Sequence, residues 1–248
     1  MPYRISINSY LSRHGFTSFR PKAALIDMDG TLYDSMPNHS RAWHRLMTEM
    51  GVNCSQEEFL MYEGMTGEAT IRLLLKRELD RDITAEEARE IYKRKTEYFS
   101  MLPEVHTMPG AAGMLDTFKK YGVERVLVTG SGQRSVIDRI HRDFPGMFGE
   151  GCQVTSRDVV HGKPAPEPFL KGMEIAGASP WESIVVENAP LGVKAGAASG
   201  AFTVGVTTGP LPEGALQDAG ADLVFPSMPD FARALPLLLY QLVTTKLI

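Results

Sequence analysis

Two aspartates two positions apart, Asp27 and Asp29, close the apolar run Ala23-Ala-Leu-Ile26 and precede Gly30-Thr31. If that run is a strand, residues i and i+2 face one side, so both carboxylates can converge on one ligand while Gly30 lets the chain turn. Two acids this close repel as anions unless a cation lies between them or one stays protonated. A hard divalent ion with oxygen ligands answers that need, and Mg²⁺ is the usual one in phosphate chemistry. Further along, Val128-Thr129-Gly130-Ser131-Gly132 offers a hydroxyl and backbone N–H groups at a helix start. That suits an anion, and it equally describes a plain turn with a capping serine. Gly162-Lys163-Pro-Ala-Pro166 fixes one lysine between stiffening residues, so its charge loses less entropy on meeting an anion. Glu187-Asn188 ends another apolar run. Glu187 could complete a metal site, with Asn188 orienting it or lending an amide oxygen. In chain order these groups supply a nucleophile, a proton-transfer acid, a phosphate clamp and a metal site.

The elements that must position them are legible as short β-branched runs: 23–27, 125–129, 153–155, 183–187, 202–206 and 222–225. Near-continuous hydrophobicity over four or five residues marks strands buried on both faces. Helical patterns lie between them at 111–121, 134–142, 167–176 and 190–199. The alternation predicts βαβ units and a parallel sheet, with ligands bound beyond the carboxyl ends of the strands. The small residues Gly192, Gly196, Ala197 and Gly200 let the last of these helices lie close to the sheet. From Asn38 to Ser100 the periodicity is helical throughout, with Leu46, Met50, Phe59, Ile71, Leu74 and Leu75 as apolar faces and dense charge from Arg72 to Arg94. Pro-containing connectors at 34–37 and 102–110 bracket this block and predict a hinged helical insertion; extra helices fixed rigidly on the sheet are the alternative.

The chain has 248 residues, 43% of them hydrophobic, and a formal charge of −4 from 26 basic and 30 acidic residues. This is an ordinary globular composition, which excludes wholesale disorder and fibrous folds. The charge argues against a nucleic-acid binder, which would carry a clustered basic face. Cys54 and Cys152 give neither a disulfide framework nor a zinc-ligand spacing, as expected of a reducing cytoplasm. No apolar run of about 18 residues is present to span a membrane. The first 22 residues carry Arg4, Arg13, Arg20 and Lys22 but no apolar signal-peptide stretch. Ile7, Tyr10, Leu11 and Phe16 predict a weakly amphipathic helix docked on the body; a transit peptide is the weaker reading.

Asp27-Met-Asp-Gly-Thr-Leu-Tyr-Asp-Ser35, Thr129-Gly-Ser131, Lys163-Pro-Ala-Pro166 and Val186-Glu-Asn-Ala-Pro-Leu-Gly-Val-Lys-Ala-Gly196 resemble the four ordered motifs of the haloacid-dehalogenase-like superfamily. The helical insertion resembles the cap of its β-phosphoglucomutase-like phosphatase subgroup, and the resemblance runs from Lys22 to about Phe225. It implies an α/β fold, a Rossmann-like parallel-sheet core with an inserted helical cap domain. The boundaries are then an N-terminal extension at 1–21, the core at 22–35 and 106–248, and the cap at 36–105. It further implies that Asp27 is the nucleophile, forming an aspartyl-phosphate. Asp29 protonates the leaving oxygen and then deprotonates water or a hydroxyl. Thr129 and the Gly130 N–H hold phosphoryl oxygens and Lys163 neutralises charge. Ser131, His39 and Gly64 are further substrate-binding positions, His39 matching a histidine at the start of the cap in the sugar phosphomutases. Mg²⁺ is held by the Asp27 carboxylate, the Asp29 carbonyl oxygen and the Glu187-Asn188 pair. The implied partner is a small phosphorylated metabolite such as a sugar phosphate, with no nucleic acid or membrane; the sequence does not fix the oligomeric state, a monomer being the favoured expectation.

Two departures stand out. The last motif usually has an aspartate where this chain has Asn188, whose amide oxygen binds a cation without charge, so either Glu187 or Asn188 contacts the metal. In the loop Tyr62-Glu-Gly-Met-Thr-Gly-Glu68, Glu63 and Gly67 stand where β-phosphoglucomutases carry a Lys and an Arg that grip the distal phosphate of a bisphosphorylated sugar. Arg41, Arg45, Arg72 or Lys76 could substitute; each otherwise reads as a solvated helix charge. Hydrolysis is therefore the expected reaction. A β-phosphoglucomutase-type mutase is the first alternative and a non-catalytic phospho-ligand-binding module the second. A dehalogenase fits less well, because halide leaves without the proton that Asp29 would deliver.

Overall fold

The computed structural model describes residues 2–131 and 134–247. Its elements in chain order are α1 (Arg4–His14), β1 (Ala23–Ile26), α2 (Met36–Glu49), α3 (Gly67–Leu79), α4 (Ala85–Ser100), α5 (Ala111–Lys120), β2 (Glu124–Val128), α6 (Arg134–Asp143), β3 (Gln153–Val154), α7 (Glu167–Ala176), β4 (Ser183–Glu187), α8 (Pro190–Ala198), β5 (Phe202–Val206), α9 (Ala215–Asp218), β6 (Leu223–Phe225) and α10 (Met228–Thr244). The strands form one six-stranded sheet in the order β3-β2-β1-β4-β5-β6, and its pairings are all parallel. Strand order reverses between β1 and β4, which is where such sheets open a crevice for ligands.

Burial on both faces explains the unbroken apolar runs of β1, β4 and β5. Alternate residues divide between two cores, as the pleat requires. Ala24, Ile26, Ile184 and Val186 face a layer containing Phe118 of α5 and Phe231, Leu235 and Leu238 of α10. Leu25, Val126, Val128 and Val185 face Phe169 and Met173 of α7 and Ala195 of α8. The N-terminal helix belongs to the first layer: Ile7, Tyr10 and Leu11 are fully buried, and the Tyr10 hydroxyl donates to the Gly200 carbonyl at 2.8 Å.

Helices α2 to α4 occupy the chain between β1 and β2 and bury their own cluster, including Leu46, Phe59, Ile71, Leu74, Leu75 and Ile91. Their starts follow from local chemistry. Pro37 sits in the first turn of α2, Thr66 accepts from the Ala69 N–H at 3.3 Å, and Thr84 and Glu87 form a reciprocal capping box on α4. Arg45 pairs with Glu49, Arg72 with Glu68, and Lys76 with Asp80 and Asp82. These are surface helix charges, and Arg41 is exposed too. Among the described residues no helix is long and apolar enough to cross a membrane.

Candidate active site

The site is built by register. Ile26 is paired with Val186 of β4 and Leu127 of β2, so the next residues out, Asp27, Glu187 and Val128, emerge side by side at the carboxyl edge. Lys163, from the loop between β3 and α7, reaches into this edge. Its Nζ lies 2.5 Å from Asp27 Oδ1, 2.6 Å from Glu187 Oε1 and 3.1 Å from the Val128 carbonyl. All three side chains are buried. One cation between two buried carboxylates stays protonated: burial works to lower the Lys163 pKa, but Asp27 and Glu187 raise it above the ordinary lysine range. Burial and the neighbouring Glu187 push the Asp27 carboxyl well above its usual value.

Strand β1 ends at Ile26, so Asp29 is not on the strand. The chain folds into a tight loop there, with the N–H groups of Thr31, Leu32 and Tyr33 all directed at the Met28 carbonyl. The two carboxylates consequently diverge instead of facing one ligand: Asp27 turns to Lys163, while Asp29 Oδ1 accepts from Ser35 Oγ at 2.6 Å and meets His39 Nε2 at 3.2 Å. His39 Nδ1 in turn lies 2.5 Å from Nζ of Lys95. An ammonium has only donors, so Nδ1 is the acceptor and Nε2–H donates to Asp29. Burial works to raise the Asp29 pKa, but His39 and Ser35 override it and hold it at about 2. Lys95 is itself buried, which brings its pKa down to about 8, under the rings of Phe99 and Trp43 at 5.1 and 5.3 Å.

Thr129 follows β2, its N–H on the Val154 carbonyl and its Oγ1 accepting the Ser131 N–H at 3.0 Å. Gly132, the end of this motif, lies outside the described residues. Gly130 is packed beside the Gly64 carbonyl of the helical block, and Gly64 beside Lys163. These groups border a cavity of about 150 Å³ lined by Asp27, Asp29, His39, Glu63, Lys95 and Thr129, among others. That volume admits a small organic molecule.

Glu187 Oε1 lies 2.6 Å from the Lys163 ammonium as an ion pair and accepts no directed hydrogen bond, while Oε2 accepts the N–H groups of Asn188 and Ala189 at 3.0 and 3.2 Å. Its carboxylate lies against α8, where a Cβ on Gly192 would stand 1.9 Å from Oε1. Asn188 instead spans the site. Oδ1 accepts from Thr31 Oγ1 at 3.0 Å and Nδ2 donates to Glu63 Oε1 at 2.9 Å. Both groups lie over Gly30, whose φ is +78° and whose missing Cβ would stand 2.0 Å from Asn188 Nδ2 and 2.9 Å from Glu63 Oε1. Among the described residues no three His, Cys, Asp or Glu side chains gather as a metal site. A hard cation fits here only by drawing on the Asp27 carboxylate together with the neighbouring amide and main-chain oxygens. That oxygen donor set, in a pocket with more carboxylates than cations, suits Mg²⁺.

The structure thus brings Asp27, Lys163, Glu187 and Asn188 to one edge, with Asp29 and His39 on the side of the helical block. Lys95 was missed by sequence reasoning. Its signal is the i, i+3, i+7 stripe Ala88, Ile91, Lys95 on α4: a lysine in an apolar register, where burial demands a partner.

The sequence model of the haloacid dehalogenase-like hydrolases matches residues 21–200. Hexitol phosphatase A of Escherichia coli is 34% identical over 188 residues, covering 75% of this chain and 83% of that protein. The fructose-1-phosphate phosphatase of the same organism is 28% identical over 189 residues, 73% of this chain and 94% of that one. Among solved structures, a Bacteroides vulgatus protein provisionally described as a beta-phosphoglucomutase superposes with a TM-score of 0.93 at 45% identity, covering 98% of both chains. With the four motifs at the carboxyl edge of a parallel sheet, the match establishes that this chain belongs to the haloacid dehalogenase-like hydrolases.

Proposed function

We propose that the chain is a Mg²⁺-dependent phosphatase of small phosphorylated metabolites, such as sugar or sugar-alcohol phosphates, working through an aspartyl-phosphate on Asp27. The observation that carries this is the buried Lys163–Asp27 pair at 2.5 Å opening on a cavity that also holds Asp29 and Thr129. Asp27 Oδ attacks phosphorus and the bond to the leaving oxygen breaks; Asp29 delivers the proton that oxygen needs. A phosphate dianion in the cavity raises the Asp29 pKa from its ligand-free value near 2, which lets it carry that proton. Water then attacks phosphorus, Asp29 takes its proton, and the Asp27–phosphorus bond breaks to release inorganic phosphate. Lys163 and the Thr129 hydroxyl offset charge on the phosphoryl oxygens. His39, held by Lys95, keeps its Nε2–H on Asp29 and orients it.

The cation would be held by the Asp27 carboxylate, the Asp29 main-chain oxygen and the Asn188 amide oxygen, with Glu187 holding Lys163. Bound there, it supplies positive charge that lowers the Asp27 pKa and polarises the phosphoryl group. Residues 36–105 act as the cap, with 22–35 and 106–248 as the core, and the reaction belongs in the cytoplasm. The test is phosphate release from p-nitrophenyl phosphate and a sugar-phosphate panel with and without Mg²⁺, with Asp27→Asn as blank. Mg²⁺-dependent release absent from the blank is expected, and equal release by the blank overturns the assignment.

A mutase is the second reading, favoured by the Bacteroides vulgatus structure. Against it, Glu63 stands in the loop where the mutases carry a cation, although Lys95 and Arg139 also line the cavity. Conversion of β-glucose 1-phosphate to glucose 6-phosphate, primed with the bisphosphate, would decide for the mutase.

A further inference from the structure

Glu63 and Asn188 both depart from the family pattern, and they touch. Glu63 lies in the loop between α2 and α3 of the helical block, Asn188 at the end of β4 in the sheet, 125 positions apart in sequence and 2.9 Å apart in space. An aspartate at 188 would put two carboxylates at hydrogen-bonding distance with no donor between them, a repulsive arrangement. The amide removes the repulsion, and Glu63 brings back, from the other side of the cavity, a negative charge that position 188 lacks.

We propose that Glu63 is a ligand, supplied by the helical block, to the cation held at Asp27 and Asn188, so that cation binding and seating of the block on the sheet are one event. This rests on the Mg²⁺ site described under Proposed function. The placement supports it: Glu63 Oε1 and the Asn188 amide converge directly over Gly30, so closely that only a residue without a Cβ leaves room for both. Thr31 makes the exchange feasible. Its hydroxyl now donates to Asn188 Oδ1 at 3.0 Å, but a hydroxyl also accepts. Half a turn of the amide keeps the Thr31 contact, through Nδ2, and aims Oδ1 towards Glu63. Two oxygens then face each other, an arrangement that a cation between them satisfies. Without the ion the same pair is joined by N–H···O. With ligands drawn from both the helical block and the sheet, affinity depends on how the block is seated, and the seating on the ion.

The experiment is calorimetric titration with Mg²⁺ alone of the wild type, Glu63→Gln, Asn188→Asp and the double variant, with thermal midpoints recorded in the absence of metal. Glutamine keeps the length and the acceptor for Asn188 and removes only the charge. The expected result for Glu63→Gln is an unchanged metal-free midpoint and an affinity weaker by about tenfold or more. Asn188→Asp in that background should restore affinity to within a few-fold of wild type, because the lost charge returns one ligand away. A Glu63→Gln affinity within twofold of wild type overturns the proposal and makes the pair a simple clasp. Mg²⁺-dependent phosphate release by wild type alongside that result would leave the phosphatase intact and remove only Glu63 from its metal site. A wild type that binds no Mg²⁺ overturns both.

Discussion

The Lys163 ammonium lies 2.5 Å from Asp27 Oδ1 and has Glu187 on its other side, so the proposed nucleophile and its neighbour share one buried cation. Removing that cation leaves two buried carboxylates facing each other. Lys163→Met should destabilise the fold by about 3 kcal/mol or more and lower turnover by on the order of a hundredfold or more. Asp27→Asn should abolish turnover at a smaller cost in stability, since Lys163 keeps Glu187. Urea midpoints and phosphate release check both; equal destabilisation by the two variants would contradict the shared-cation account.

On the proposed mechanism, Asp29→Asn separates the two chemical steps. A sugar leaving group needs a proton and p-nitrophenolate does not, so kcat/KM should fall by roughly 10²–10⁴ for a sugar phosphate and far less for p-nitrophenyl phosphate. Hydrolysis of the aspartyl-phosphate still lacks its base. A burst of p-nitrophenolate equal to the enzyme concentration is therefore expected in rapid-mixing experiments, and a linear trace from time zero would argue against Asp29 as the base.

Burying the Lys95 ammonium costs the fold stability. Its pKa falls from 10.5 to about 8 on burial, so at neutral pH the folded state carries a penalty of about 3 kcal/mol for keeping it charged. Between pH 8 and 10.5 the unfolded chain binds the proton and the folded chain does not, so this contribution to stability improves as pH rises through that window. Lys95→Met should thus be more stable than wild type at pH 7, and the advantage should shrink from pH 8 to 10.5. Its kcat should fall, because His39 Nδ1 loses the donor that fixes its tautomer. Chemical denaturation across that pH range, beside kcat at pH 7, checks both halves.

The N-terminal helix is core, not appendage. Tyr10 is fully buried, with its ring 5.2 Å from Phe202 at the start of β5, the sheet end away from the site. Tyr10→Ala should cost about 3 kcal/mol and Tyr10→Phe about 1 kcal/mol for the lost hydrogen bond. Both should leave KM for p-nitrophenyl phosphate unchanged at temperatures where they stay folded.

The parallel sheet was legible because β1, β4 and β5 are short apolar runs buried on both faces, and each run begins and ends within a residue or so of its strand. Asp27 and Lys163 were legible for a similar reason: a strand end and a proline-stiffened loop are local features. The divergence of Asp29 from Asp27 was not. It depends on the chain leaving the strand after Ile26 and on His39 waiting across the cavity, neither of which a period-two pattern records.

By itself the sequence determined the elements, their order and the ordered set of acids, hydroxyl and lysine, because those follow from hydrophobic period and from turn chemistry within a few residues. Only the tertiary structure decided which charges meet. Lys163 joins Asp27 and Glu187, Lys95 joins His39, and Glu63 joins Asn188, each across 24 or more residues counted by the described partners. Such pairings are set by strand register and by the seating of one packed unit on another, and side-chain electrostatics act through space, where distance along the chain has no bearing.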